Sequence, residues 1–194
     1  MSRRTALCLL LLPAAIGQAL AAGPNAGNHN ALLKGTYQIA YEIACVTSDQ
    51  GFSDPPALQA LGVGGPVIDH DTGTILFDGH GNATEIRHGI SIVPQQIVAG
   101  SSAVSTYAIT CRYNYTVNAD KSFALSGSCS GMISGGPGLT VDVSPAGGVG
   151  QLSESRTMFT ISSVTPVRQL VRLGNNTQTQ RLCGASATGI RVHP

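Results

Sequence analysis

The chain has 194 residues, and its 11 Lys and Arg nearly balance its 10 Asp and Glu, for a formal net charge of +1. No basic cluster breaks that balance, which removes the electrostatic footprint of a nucleic-acid or anionic-membrane binder. Charged residues make up only 11% of the chain, and 24 glycines point to many tight turns between polar, uncharged strand faces.

Residues 1–22 read as a signal peptide. Arg3 and Arg4 give a positive start, residues 6–12 are unbroken apolar, residues 13–17 end the run, and Ala19-Leu20-Ala21 supplies the small-x-small cleavage pattern. The run is shorter than the roughly 20 apolar residues of a membrane span. A flexible leader is expected over 23–33, holding His29, and a single domain over 34–194. The expected location is secreted or periplasmic, in an oxidising compartment.

Strict alternation, the period of strands, dominates the remainder of the chain. In residues 35–45, Tyr37, Ile39, Tyr41, Ile43 and Cys45 share one face, and Gln38, Ala40, Glu42 and Ala44 the other. Residues 46–72 then read as a long connection containing one short helix over 54–62. Asp54 would cap it, Pro55 would open it and Gly62 would end it. Residues 74–77 read as a short strand, 78–82 (Asp-Gly-His-Gly-Asn) as a turn, and 83–93 as the returning strand.

Residues 107–117 and 123–133 flank a polar turn at 118–122. Folding this hairpin about Asp120 opposes Val117 to Phe123, Tyr115 to Leu125, Tyr113 to Gly127 and Cys111 to Cys129. The apolar sets then fall on one face, and a slip of one residue would scatter them. Strands are further expected over 139–143, 157–164 and 167–173, with a turn at 145–150, and the chain ends in a polar stretch broken by Leu182-Cys183. About eight or nine strands in short connections predict an all-β antiparallel up-and-down barrel of about eight strands, with a β-sandwich as the alternative.

Outside the signal peptide, which holds Cys8, four cysteines allow three pairings. The hairpin register selects Cys111–Cys129, which leaves Cys45–Cys183. Gly127-Ser-Cys-Ser-Gly131 has the spacing of a nucleophile elbow. That motif needs a strand-to-helix turn, and Cys129 sits inside an alternating strand, so it reads as a half-cystine. No C-x2-C spacing suggests zinc.

Asp69-His70-Asp71 and Asp78-Gly-His80 could gather a metal ion, but turn chemistry explains the same residues more simply. No metal and no cofactor is expected. His70, His80 and His88 could act as general bases, yet no motif fixes a Ser-His-Asp set in space. The sequence points away from an enzyme and assigns no catalytic residue. Asn82, Asn114 and Asn175 open glycosylation sequons, relevant only to a eukaryotic secretory route. Tyr37, Tyr41, Tyr107, Tyr113 and Tyr115 all fall on apolar faces. They either fill the core or line a ligand cavity with their hydroxyls as polar handles.

Lys34-Gly-Thr-Tyr37, Phe77-Asp-Gly-His-Gly-Asn82 and Tyr115-Thr-Val-Asn-Ala-Asp120 resemble strand openings and turns of small secreted bacterial β-barrel proteins of uncharacterised activity. The Gly35-x-Tyr37 start is also similar to the Gly-x-Trp start of calycin barrels such as lipocalins, with Tyr in place of Trp. The resemblance implies a barrel and an exported location, and carries no activity. The leading functional expectation is a disulfide-stapled exported barrel that binds a small apolar molecule, with the 46–72 connection as its lid. The alternatives are a secreted interaction module acting through its loops, and a small outer-membrane barrel.

Overall fold

A computed structural model describes residues 29–93, 104–134, 139–163, 166–174 and 178–192. The expected signal peptide, the leader before His29 and the Asn175 sequon lie outside the described residues. Alternation yields nine strands among them: β1 (Lys34–Ser48), β2 (Pro66–Asp78), β3 (Asn82–Ile92), β4 (Val104–Val117), β5 (Ser122–Ser134), β6 (Leu139–Leu152), β7 (Met158–Ser162), β8 (Val167–Leu173) and β9 (Gln178–Arg191).

Every pairing is antiparallel, and β9 returns to β1 to close the sheet. β7 and β8 share one position in the wall. β7 pairs the far end of β6 (Val149–Leu152) and β8 pairs its near end (Val141–Ser144), and both pair β9. The result is an up-and-down barrel with eight positions around its ring. Closure removes the exposed edges that an open antiparallel sheet would have to protect.

The predicted β4–β5 register is the observed one, with Val117 opposite Phe123, Tyr113 opposite Gly127, and Cys111 opposite Cys129. Both disulfides form as expected, Cys111–Cys129 and Cys45–Cys183, each between directly opposed residues of neighbouring strands. Two disulfides fit an oxidising compartment. No helix among the described residues is long and apolar enough to cross a membrane.

One end of the barrel is solid. Phe77 meets Tyr37 and Tyr115 edge-on at 5.7 and 5.1 Å between ring centroids, and Phe159 meets Phe123 at 5.6 Å. Such edge-to-face pairs add to the area they bury. A 3-10 turn, Asn30–Leu32, followed by the fully buried Leu33, plugs this end. Asn30 Oδ1 accepts from Val117 N (2.9 Å), and Tyr115 Oη donates to the Leu33 carbonyl (3.1 Å). The stretch 30–33, expected to belong to a flexible leader, is therefore part of the core.

Three further expectations need correction. No helix forms over 54–62. Ser53 N donates to Gln59 O and Leu61 N to Gly51 O, so the segment curls into a small hairpin, and Leu58 has a left-handed φ of 46° that no helix accommodates. The connection is also shorter, 49–65, because β1 runs on to Ser48 and β2 starts at Pro66. Residues 145–150 are not a turn but the middle of β6. Gly127 pairs Ala146 and Cys129 pairs Val143, so Ser144 and Pro145 together oppose the single residue Ser128. That is a bulge, one of the few places a sheet admits a proline.

Candidate functional site

The other half of the barrel is not filled. β2 and β3 send an unusual set of side chains inward. On β2, Val67, Asp69 and Asp71 share a face with Ile75 and Phe77, and on β3 Glu85 and Arg87 share a face with Ala83. Asp69, Asp71, Glu85 and Arg87 are all buried, with exposures of 2, 3, 0 and 6%. Burying charges is costly unless they are paired, and here they are.

Arg87 is the hub. Its Nη1 donates to Asp71 Oδ2 (3.1 Å) and its Nη2 to Glu85 Oε2 (3.2 Å) and Tyr113 Oη (3.0 Å). Tyr113 Oη in turn donates to Glu85 Oε2 (2.9 Å). The guanidinium also lies over the Tyr41 ring, 4.3 Å from its centroid. A second pair sits nearer the unplugged end. Arg181 Nη1 donates to Asp69 Oδ2 (3.1 Å) and Arg181 Nε to Gln169 Oε1 (2.8 Å).

One glycine makes the network possible. Asp71, Gly89 and Tyr107 lie in a row across β2, β3 and β4. The Tyr107 hydroxyl passes over Gly89 and donates to Asp71 Oδ1. A Cβ on residue 89 would stand 2.1 Å from Asp71 Oδ1 and 2.7 Å from the Tyr107 ring.

Burial and neighbouring carboxylates set the protonation of these groups. Burial raises the Asp71 pKa above its ordinary value, an effect that the Tyr107 hydrogen bond and the Arg87 charge only partly offset. Burial, reinforced by Asp69 and Asp71, drives the Tyr107 hydroxyl far up. Burial and the Glu85 charge do the same to Tyr113 and Tyr41. All three phenols therefore stay protonated and act as donors. Burial opposes the Arg87 charge, and the surrounding Glu85, Tyr113, Tyr41 and Asp71 more than compensate, so the guanidinium stays charged.

Beside this network lies a cavity of about 220 Å³. One water needs only ~10–15 Å³ on a comparable measure, so the space takes a small molecule. Its wall is largely aliphatic, from Ile43, Val67, Ile109, Leu125, Val143 and Ile161, and its polar side is Asp69, Asp71, Arg87, Tyr107, Gln169 and Arg181. The connection 49–65 is tied to the strands beside it. Arg168 Nη2 donates to Ser53 O (2.9 Å), and Thr179 Oγ1 donates to Ser48 O (3.0 Å) at the end of β1.

Of the five tyrosines expected to share one fate, Tyr41, Tyr107 and Tyr113 line the cavity. Tyr37 and Tyr115 do not. They lie further toward the plug, where Tyr37 Oη donates to Arg156 O (3.1 Å) and Tyr115 Oη accepts from Gly79 N (2.8 Å). Asp69-His70-Asp71 is not a turn. It is strand, with both carboxylates inward and His70 exposed on the outer wall. His80 and His88 are exposed too. Asp78 does form the expected turn, its Oδ1 accepting from His80, Gly81 and Asn82 backbone N–H groups. No group of three or more His, Cys, Asp or Glu with metal-site geometry is present among the described residues.

Sequence reasoning missed Glu85, Arg87 and Arg181, and it gave Asp69 and Asp71 to a turn or a metal ion and not to the inner face of a strand. The signal that could have found them was parity. Counting back in twos from Phe77 reaches Asp71 and Asp69, and counting on from Ala83 reaches Glu85 and Arg87. The chain matches no family model, and no curated protein matches it.

Proposed function

We propose that the protein is an exported barrel that captures a small amphipathic molecule, with an apolar body against the aliphatic wall and a polar head against Asp69, Asp71, Tyr107 and Arg181. The observation that carries this reading is the division of the interior. Half is packed with interlocked aromatics, and half is a cavity whose polar groups converge on one side. A barrel built only for stability would fill both halves, since empty volume and buried charge both cost folding energy. An enclosed, mostly apolar space with a few convergent polar groups is the common form of a small-ligand site. Polar interior groups shift the expected ligand from a purely apolar one to an amphipathic one. Export is supported by the two disulfides. The likeness to calycin barrels stays with the fold, a closed ring of eight positions opened by Gly35-x-Tyr37.

The outer-membrane alternative is weaker. Among the described residues every Tyr and Phe faces inward or is buried in the 49–65 connection, so the outer wall has none of the aromatic girdles that lipid-facing barrels carry.

Organic extraction of protein purified from its source should release a bound compound, and the emptied protein should bind an apolar fluorescent dye. Val171→Trp, which projects bulk into the cavity from β8, should abolish dye binding, and in a chain with no native Trp it reports its own burial. Empty extracts together with no dye binding would overturn the reading.

A further inference from the structure

The head group of the ligand is constrained by what the cavity leaves unpaired. Asp69 lines the cavity and is 2% exposed, yet only its Oδ2 has a partner among the described residues, Arg181, while its Oδ1, itself closed off from solvent, has none. A buried carboxylate oxygen without a donor is expensive, and a ligand that donates to it recovers that cost. Three donor atoms of side chains that line the same cavity are engaged elsewhere. Arg181 Nη1 and Nε bind Asp69 Oδ2 and Gln169, and the Tyr107 hydroxyl binds Asp71. Arg87 Nε also lacks a partner among the described residues, but its guanidinium is covered by the Tyr41 ring.

Charge decides between a neutral and a cationic donor. Asp69, Asp71 and Glu85 oppose Arg87 and Arg181, which leaves the cluster one formal negative charge in excess. We infer that the cavity takes an aliphatic amine, its hydrocarbon lying against Val67, Ile43 and Val143 and its ammonium, toward which the Asp69 carboxylate turns from its closed position in the ligand-free barrel, donating to Asp69 Oδ1. The inference rests on the cavity-binding reading above and narrows it to one ligand class. An ammonium placed there both satisfies the oxygen and neutralises the excess charge, and neither a hydroxyl nor a carboxylate does both.

Calorimetric titration of the intact disulfide-bonded protein with hexylamine, hexanol and hexanoate, in an amine-free buffer at neutral pH, tests this with one hydrocarbon and three heads. Hexylamine should bind at least about tenfold more tightly than hexanol, the span of one charge-assisted hydrogen bond, and hexanoate should bind most weakly. Asp69→Asn should erase the amine's advantage over hexanol. Equal or tighter binding of hexanol or hexanoate to the wild-type protein overturns the inference without need of any variant, as does an advantage that survives Asp69→Asn. Binding of the apolar dye but none of hexylamine overturns the amine and leaves the cavity reading standing. Binding of neither overturns both.

Discussion

Cys45 on the first strand and Cys183 on the last face each other across the β1–β9 seam, their Cα atoms 4.1 Å apart. This bridge locks the closure of the ring, and it joins positions 138 residues apart in sequence. Cys111–Cys129 joins positions only 18 apart, within one hairpin. Loop-closure entropy in the unfolded chain grows with the logarithm of loop length, which corresponds to about 5 kcal/mol for the long loop and about 3 kcal/mol for the short one. The double variant Cys45→Ala/Cys183→Ala should therefore lose ~2 kcal/mol more stability than Cys111→Ala/Cys129→Ala. Urea unfolding of both variants, compared at equal denaturant slope, measures the difference. Equal losses would show that loop length does not set what each bridge contributes.

Gly89→Ala should destabilise the barrel through its interior network. The added methyl meets Asp71 Oδ1 and the Tyr107 ring at once, and both are held by other contacts. Forcing them apart costs roughly 1–3 kcal/mol, as overpacking of a tight interior does. Gly184→Ala on β9 is the control, since nothing lies within 4 Å of its Cβ position. That change should be neutral or slightly stabilising through the unfolded chain. Thermal or urea unfolding of the pair separates loss of the Asp71–Tyr107 contact from a general intolerance of alanine in strands.

The contrast between these two glycines reflects what could be read from the sequence. Backbone parity was legible wherever apolar residues marked it. From Tyr107 to Ile133 the alternation and the cysteine placement agree on a single register, and the fold follows from them. Parity was hidden where charged residues occupy inward positions. Asp69 and Asp71 broke the apolar pattern of β2, so the first half of that strand read as loop, and the network that defines the cavity went with it. Pro145 and the glycines after it carry turn chemistry, yet the partner strand β5 holds them in register as a bulge. Only tertiary pairing distinguishes those two outcomes. β9 is rich in Gly, Ser, Thr and Ala, whose small side chains leave room for Phe159 and Ile161 opposite. Its strand character comes from its neighbours more than from its own composition.

The plug should contribute to stability out of proportion to its length. Leu33 is fully buried among Tyr37, Phe77 and Tyr115, and Asn30 satisfies the Val117 N–H inside the barrel end. Leu33→Ala is expected to cost about 2–5 kcal/mol through lost burial and the cavity it leaves. Asn30→Ala should cost about 1–3 kcal/mol, because it strands a buried donor. Amide exchange gives a sharper test than global unfolding. In Asn30→Ala the Val117 amide should lose protection first, while amides at the β1–β9 seam keep theirs.

Arg87→Met should be strongly destabilising, and its cost should depend on pH. The change leaves Asp71 and Glu85 buried without their shared cation, a situation worth ~3–5 kcal/mol. In the wild-type protein burial already holds the folded-state pKa of Asp71 above 3.8. The folded chain therefore binds this proton more tightly than the unfolded one. The associated stability is fully present below pH 3.8 and is lost as pH rises through the folded-state value. Without Arg87 the shift grows, so the loss extends to higher pH. The stability gap between wild type and Arg87→Met should thus widen as pH is raised from about 4 toward neutrality, and Asp71→Asn added to Arg87→Met should flatten that slope. Urea midpoints taken across this range measure the gap directly. A gap that does not change with pH would mean that Arg87 acts through packing over Tyr41 and not through the carboxylates it binds.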